Sequence, residues 1–243
     1  AVAVEETVYL VDPKLPVPEY DEDSEDKKKQ LAPVADLLKV EKVDVADDTV
    51  KHVNWRQVDE KSALGKQGVR ISLKHQADVK TLAWHPRGHY LAAVAPSTIT
   101  PNGQCLIHSL PMQKSMKPFK ALKGLLQAVQ FHPSKPILFL ASQKNVRIFD
   151  LKEQKMIKQL VSGAKWISSL SIHRGGEHLI VGSYDRRLLW FDLELGNKPF
   201  KTLRYHDRAI RDVHFHNKFP LMASASDDCN THCLHAKDFD DFV

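Results

Sequence analysis

Histidine is the residue type whose spacing most invites a chemical reading in this 243-residue chain, which holds 13 of them. Near the C-terminus, His214, His216, Cys229, Cys233 and His235 lie close in sequence. Imidazoles and thiolates are zinc ligands, but C-x-x-x-C with scattered histidines is not the spacing of a zinc site. Cys105, Cys229 and Cys233 are too few, and odd in number, for a disulfide framework, which points to a reducing compartment. GKQG (65–68) is too short for a phosphate-cradling loop and lacks the following Ser or Thr. No Ser, His and Asp stand in an order that reads as a nucleophilic triad. The expectation is therefore a protein without catalytic residues, metal or cofactor.

Four of the histidines recur in register. They end the segments TLAWHP (81–86), AVQFHP (128–133), SLSIHR (169–174) and DVHFHN (212–217), as His85, His132, His173 and His216. A period of forty-odd residues is the length of one four-stranded propeller blade. After each His comes a turn and a second apolar run, as in YLAAVA (90–95), ILFLAS (137–142), HLIVGS (178–183) and PLMASAS (220–226). Third runs VRIFDL (146–151) and RLLWFDL (187–193) both end in Phe-Asp, and the amphipathic runs MIKQLV (156–161) and FKTLRY (200–205) follow. Short alternating segments with turn signals between them predict an all-β fold.

Phe149-Asp150 and Phe191-Asp192 resemble the Trp-Asp dipeptide of WD-repeat blades, and Val11-Asp12 looks like the same position in an earlier blade. The aromatic should fill the space between blades and the Asp should close its strand with local hydrogen bonds. His75 and His206 precede first strands, and Asp185 and either Asp227 or Asp228 sit in the turn after the second strand. Paired, such residues would pin the strands with buried hydrogen bonds. The expected architecture is a WD-repeat β-propeller, incomplete, with about three full blades and two partial ones of a probable seven. The expected organisation is a partial blade over 1–12, an insertion over 13–68 and propeller blades over 69–243. Within the insertion, ADLLKVEKV is a candidate short helix, and VRISLKH (69–75) reads as the last strand of the interrupted blade. The four tryptophans, Trp55, Trp84, Trp166 and Trp190, read as core.

Charge is divided unevenly. Residues 1–50 hold 6 Lys or Arg against 14 Asp or Glu, net −8, while residues 51–243 hold 29 against 16, net +13. The acidic share is densest in PEYDEDSEDKKKQ (18–30), which has no periodicity and is expected to be disordered. The basic excess suggests a surface for RNA or a partner at Lys165, Arg174, Arg186, Arg187, Arg204, Arg208 and Arg211. The competing reading is a solvated propeller rim, and no paired stacking aromatics are visible in the sequence. No apolar run of about twenty residues is present, so no membrane span is expected. The opening AVAVEETVYLVDP does not read as a signal peptide.

The stretches HQADVKTLAWHPRGHYLAAV, FHPSKPILFLASQKNVRIFDL and KWISSL…GSYD…LLWFDLELGNKPFKTLR closely resemble the C-terminal propeller of the block-of-proliferation (Bop/Erb) ribosome biogenesis proteins. The resemblance runs from about His75 to Asp228, and the tail CNTHCLHAKDFDDFV (229–243) departs from it. It implies a non-catalytic scaffold of the nucleus, in nucleolus and nucleoplasm, needed for pre-rRNA processing in 60S subunit biogenesis. The implied partners are a Pescadillo-family protein, a second WD-repeat protein with a ubiquitin-like domain, pre-ribosomal RNA and large-subunit precursor particles. Two other functions fit a propeller: a WD-repeat adaptor unrelated to ribosomes, and an enzyme built on channel histidines. The departing tail leaves the last blade's completion open, and the chain reads as a fragment of a longer propeller.

Overall fold

A computed structural model describes residues 1–12, 53–99, 103–119, 122, 124–236 and the backbone of 241–242. The strands form five antiparallel four-stranded sheets. The first contains β1 (Val2–Val4), β2 (Thr7–Val11), β3 (Asn54–Gln57) and β4 (Val69–Lys74), in the order β1-β2-β4-β3. The second runs β5 (Thr81–Trp84), β6 (Tyr90–Val94), β7 (Cys105–Ser109) and β8 (Lys114–Met116). The third runs β9 (Leu126–Phe131), β10 (Ile137–Ser142), β11 (Asn145–Asp150) and β12 (Lys155–Val161). The fourth runs β13 (Ile167–Ile172), β14 (His178–Ser183), β15 (Leu188–Asp192) and β16 (Lys201–Leu203). The fifth runs β17 (Ile210–Phe215), β18 (Leu221–Ser226), β19 (Thr231–His235) and β20 (Asp241–Phe242). From the second sheet to the fifth, neighbouring first strands pack on one another, β5 on β9, β9 on β13 and β13 on β17.

Strand alternation explains why the sheets stack. Successive side chains point to opposite faces. In β10, Leu138 and Leu140 face the second sheet, while Phe139 and Ala141 face the fourth. Four apolar clusters result, one between each pair of consecutive sheets. Phe149 is buried between the second and third sheets, stacked on Phe119 at 3.9 Å between centroids, and Phe191 is fully buried between the third and fourth. The paired Asp residues close their strands as the dipeptide predicts. Asp150 accepts from the N–H groups of Lys152 (2.7 Å) and Glu153 (3.0 Å), and Asp192 from those of Glu194 (2.9 Å) and Leu195 (3.3 Å).

The structure corrects the expected blade count. The fourth histidine copy is completed by β19 and β20, so the departing tail supplies the third and fourth strands of a full sheet. The first sheet also has four strands, because Asn54–Gln57 pairs with β4 on the side away from β2. VRISLKH is therefore not an edge strand. A one-turn helix, Ala63–Lys66, connects β3 to β4, with the Ser62 hydroxyl capping the Gly65 N–H at 3.0 Å. The candidate helix ADLLKVEKV and the acidic run 18–30 lie outside the described residues. No helix among the described residues is long and apolar enough to cross a membrane.

Phe191→Ala should cost about 3–5 kcal/mol in a urea unfolding experiment, the usual loss for a buried aromatic. Met156→Ala, on the exposed strand β12, should stay within about 0.5 kcal/mol.

Candidate functional site

The repeated histidines occupy equivalent places. Each donates its backbone N–H at 2.9 Å to the first residue of the following strand or its neighbour: His85 to Tyr90, His132 to Ile137, His173 to His178, His216 to Leu221. Each ring then accepts at Nδ1 from the turn that follows. His85 takes the N–H of Arg87 (3.1 Å), His173 that of Gly175 (3.2 Å), His132 those of Ser134 and Lys135, and His216 those of Lys218 and Phe219. An Nδ1 that accepts must be unprotonated, and burial lowers the pKa of His85, His132 and His173 accordingly. The rings of His85 and His173 also meet the next sheet edge-on, at Phe131 (5.1 Å) and Phe215 (5.3 Å). Gly176, at φ 82°, leaves room for His132, because a Cβ there would lie 2.3 Å from the ring. These histidines shape turns and seal sheet contacts; His85 and His132 line one cleft, which His173 and His216 do not reach.

The expected His–Asp pin forms once. His206 Nδ1 lies 2.9 Å from Asp228 Oδ2, and its Nε2 lies 2.9 Å from Ser224 Oγ. Desolvation pushes the Asp228 carboxyl up, but the N–H groups of Asn230 and Asp207 and the His206 ring outweigh it and hold it below the usual carboxylate range. Asp227 instead receives a bidentate pair from Arg211, at 2.7 Å for both contacts. In the fourth sheet the pin is made without histidine: Arg187 binds Asp185 and donates to the Gly163 carbonyl at 2.8 Å. Among the described residues no such acid pairs with His75. Its ring meets His108 edge-on at 5.1 Å, and His108 Nδ1 lies 2.9 Å from Ser115 Oγ, which also accepts from Trp55 Nε1 at 2.8 Å.

Antiparallel pairing sorts the expected basic residues by end. The segments that enter first strands and the turns after second strands share one end of the sheets, and the histidine turns share the other. Lys165, Arg186, Arg187, Arg204, Arg208 and Arg211 all belong to the entry end, and Arg174 belongs to the histidine end. The structure thus brings six of the seven to one end and separates the seventh. Arg187 and Arg211 are committed to Asp185 and Asp227, whereas Lys165, Arg186, Arg204 and Arg208 stand exposed.

Two features escaped the sequence reading. Trp84 and Trp166 are 45% and 38% exposed, so only part of the tryptophan set is core. Trp166 and Tyr184 also pair, at 6.3 Å between ring centroids, and the Arg211 guanidinium lies 5.0 Å from the Tyr184 ring centre. The signal was the hairpin register, which sets the residue before β13 opposite the residue after β14. Second, the histidine end holds a cleft of about 740 Å³ between the second and third sheets. Its charged lining groups are Arg87, Lys135 and Lys152, with no carboxylate. No histidine-based repeat pattern points to these cations, because Arg87 and Lys135 sit at different offsets in equally long histidine turns and Lys152 follows a third strand.

Stacked four-stranded sheets, Asp-closed third strands and a His–Asp pin define a WD-repeat protein. The family description "WD domain, G-beta repeat" matches residues 68–107, 155–192 and 197–233. Each match starts at or just before the fourth strand of one sheet and ends in the third strand of the next, so every sequence repeat straddles two sheets. Over most of its length the chain is homologous to curated ribosome biogenesis proteins named Erb1 and BOP1. It is 39% identical to Ribosome biogenesis protein erb1 of Schizosaccharomyces pombe over 100% of this chain and 31% of that protein. It is 41% identical to Ribosome biogenesis protein bop1-A of Xenopus laevis over 81% of this chain and 26% of that protein. With the Danio rerio protein bop1 the identity is 45%, over 73% of this chain and 23% of that protein. The chain spans about a quarter to a third of the length of the curated relatives it matches.

Burial lowers the His75 pKa to about 4, and burial with the neighbouring His75 lowers that of His108 to about 3. The unfolded imidazoles titrate near 6.5, so below that pH the unfolded chain binds protons that the folded one refuses. Stability should be full above about pH 6.5 and fall as pH drops from there towards about 4, by about 1.4 kcal/mol per pH unit for each ring. Urea midpoints measured between pH 7.5 and 4.5 check this, and His75→Phe should flatten the slope.

Proposed function

We propose that this chain is part of a non-catalytic scaffold in large ribosomal subunit biogenesis. The observation that carries the reading is the homology to proteins named for ribosome biogenesis, at about 40% identity over most of the chain. The site chemistry supports a binding role. The repeated histidines are consumed by turn hydrogen bonds, and the His–Asp pair, His206 with Asp228, is buried between strands rather than opened to a substrate. Exposed cations stand at both ends: Lys165, Arg186, Arg204 and Arg208 at one, where Asp207 and Asp212 are exposed beside them, and Arg87, Lys135 and Lys152 around the cleft at the other. Exposed cations on a rigid frame suit phosphate contacts, which fix position without reading sequence.

On this reading the full-length protein acts in pre-rRNA processing within a complex that contains a Pescadillo-family protein and a second WD-repeat protein with a ubiquitin-like domain. It works in the nucleus, in nucleolus and nucleoplasm, on 60S precursor particles. A tagged full-length protein should sediment with large-subunit precursors, and its depletion should cause large-subunit rRNA precursors to accumulate. The association should weaken as salt rises. Recovery with non-ribosomal partners and no pre-ribosomal RNA contradicts the proposal and favours an adaptor unrelated to ribosomes.

A further inference from the structure

Three of the sheets carry a β-bulge at the same place. The register between first and second strands shifts at Leu126–Ala128, at Ile167–Ser169 and at Ile210–Asp212. The residue skipped is Gln127, Ser168 and Arg211 respectively. A bulge leaves one residue out of the ladder and re-aims its side chain. Two of these three side chains are re-aimed across the gap between sheets. Gln127 Oε1 accepts from Lys80 of the preceding strand entry and, at 3.0 Å, from Trp166 Nε1 of the following sheet. Arg211 lies over Tyr184 of the preceding sheet while Asp227 holds its guanidinium from behind. Between them sit Trp166 and Tyr184, tilted by 34°. The result is a continuous row, Lys80, Gln127, Trp166, Tyr184 and Arg211, along the entry end of four sheets.

This row is not core. The aromatics that close the sheet interfaces, Phe139, Phe149, Trp190, Phe191 and Phe215, are at most 7% exposed, whereas Trp166 is 38% exposed. Its indole N–H is already tied to Gln127, so the ring is held in place while a large part of it meets solvent. A fixed, accessible aromatic loses little conformational freedom on binding a flat partner. Charge alone does not define the ligand here. Beside Lys165, Arg186, Arg187, Arg204, Arg208 and Arg211, the same end carries Asp185, Asp207, Asp212, Asp227 and Asp228, which nearly balance them. A near-neutral end with a braced aromatic pair, a guanidinium over one ring and exposed Lys165, Arg186 and Arg208 at the margin matches the recognition of unpaired bases. There the rings stack on bases and the marginal cations meet phosphates.

We propose that Trp166 and Tyr184, with Arg211 over the second ring, form a stacking platform for unpaired bases of single-stranded RNA. The assignment rests on the RNA-contacting reading above and names the surface that carries it. The test is fluorescence anisotropy of the 243-residue chain with a labelled 12-nucleotide single-stranded RNA, across a salt series. Trp166→Ala should weaken binding by about 5- to 100-fold, the range for removing one base-stacking ring. The salt slope should stay that of the parent chain, because no cation is lost. Trp166→Phe, which keeps a ring and drops the N–H, should bind within a few-fold of the parent, and it guards against a folding artefact in the alanine variant. Arg208→Ala should reduce the salt slope by about one. If Trp166→Ala binds as the parent does, the platform is wrong and the RNA reading stands. If Trp166→Phe loses as much as Trp166→Ala, the N–H brace matters and stacking is overturned. If the parent chain binds no RNA, both the platform and the RNA reading fall, and a protein-docking role takes their place.

Discussion

The three inner sheets are apolar on both faces and the two outer ones on the face each shares with its neighbour, and that single constraint organises the molecule. A lone four-stranded sheet has no second layer to bury such faces against. The four apolar clusters answer this by drawing on two consecutive sheets each: Val8, Leu10, Ile71 and Leu73 against Leu91 and Leu106; Leu138 and Leu140 against Val94 and Ile107; Phe139 and Ile148 against Leu179 and Phe191; Ile180 and Trp190 against Val213 and Met222. Stability is therefore spread over nearest-neighbour interfaces, as in other repeat architectures. Because each sequence repeat gives its first segment to one sheet and the rest to the next, the backbone itself also joins neighbours.

Polar groups follow from that packing. Where inner strands meet, side chains satisfy backbone donors across the gap, as when Gln130 accepts from the Ile172 N–H at 3.1 Å and Ser171 from the Phe215 N–H at 3.0 Å. At one end the histidine rings close turns; at the other, Asp228 with His206 and Asp185 with Arg187 tie the entry segment to the turn after the second strand. With those residues spoken for, the ends still expose cations, the carboxylates of Asp207 and Asp212, and the part-exposed Trp166.

The repeat period, strand alternation and Phe-Asp positions were legible in the sequence because they are local and recur. The same holds for the histidine turns, whose hydrogen bonds span only two or three residues. The pins were partly legible. Asp185 was recognised as a turn acid, but its partner is Arg187 on the same hairpin, and no repeat pattern distinguishes that guanidinium from a solvated one. The last sheet escaped because β19 and β20 lack the Phe-Asp signature and depend on pairing with β18 for their definition. Strand β3 escaped for a similar reason, since NWRQ is too short to declare itself without β4 beside it. The aromatic row at the entry end depends on two bulges, at Gln127 and Arg211, and a bulge leaves no mark in composition or periodicity.

The most direct measurement of sheet-to-sheet stacking is a double-mutant cycle across one interface. Trp190 of the fourth sheet and Phe215 of the fifth meet edge-on, with centroids 5.3 Å apart and rings at 89°. Unfolding free energies of Trp190→Leu, Phe215→Leu and the pair should reveal a coupling of about 0.5–1.5 kcal/mol, the value for a buried aromatic pair in contact. Additivity within about 0.3 kcal/mol would place the two rings in separate surroundings and contradict the stacking of consecutive sheets on which the account rests.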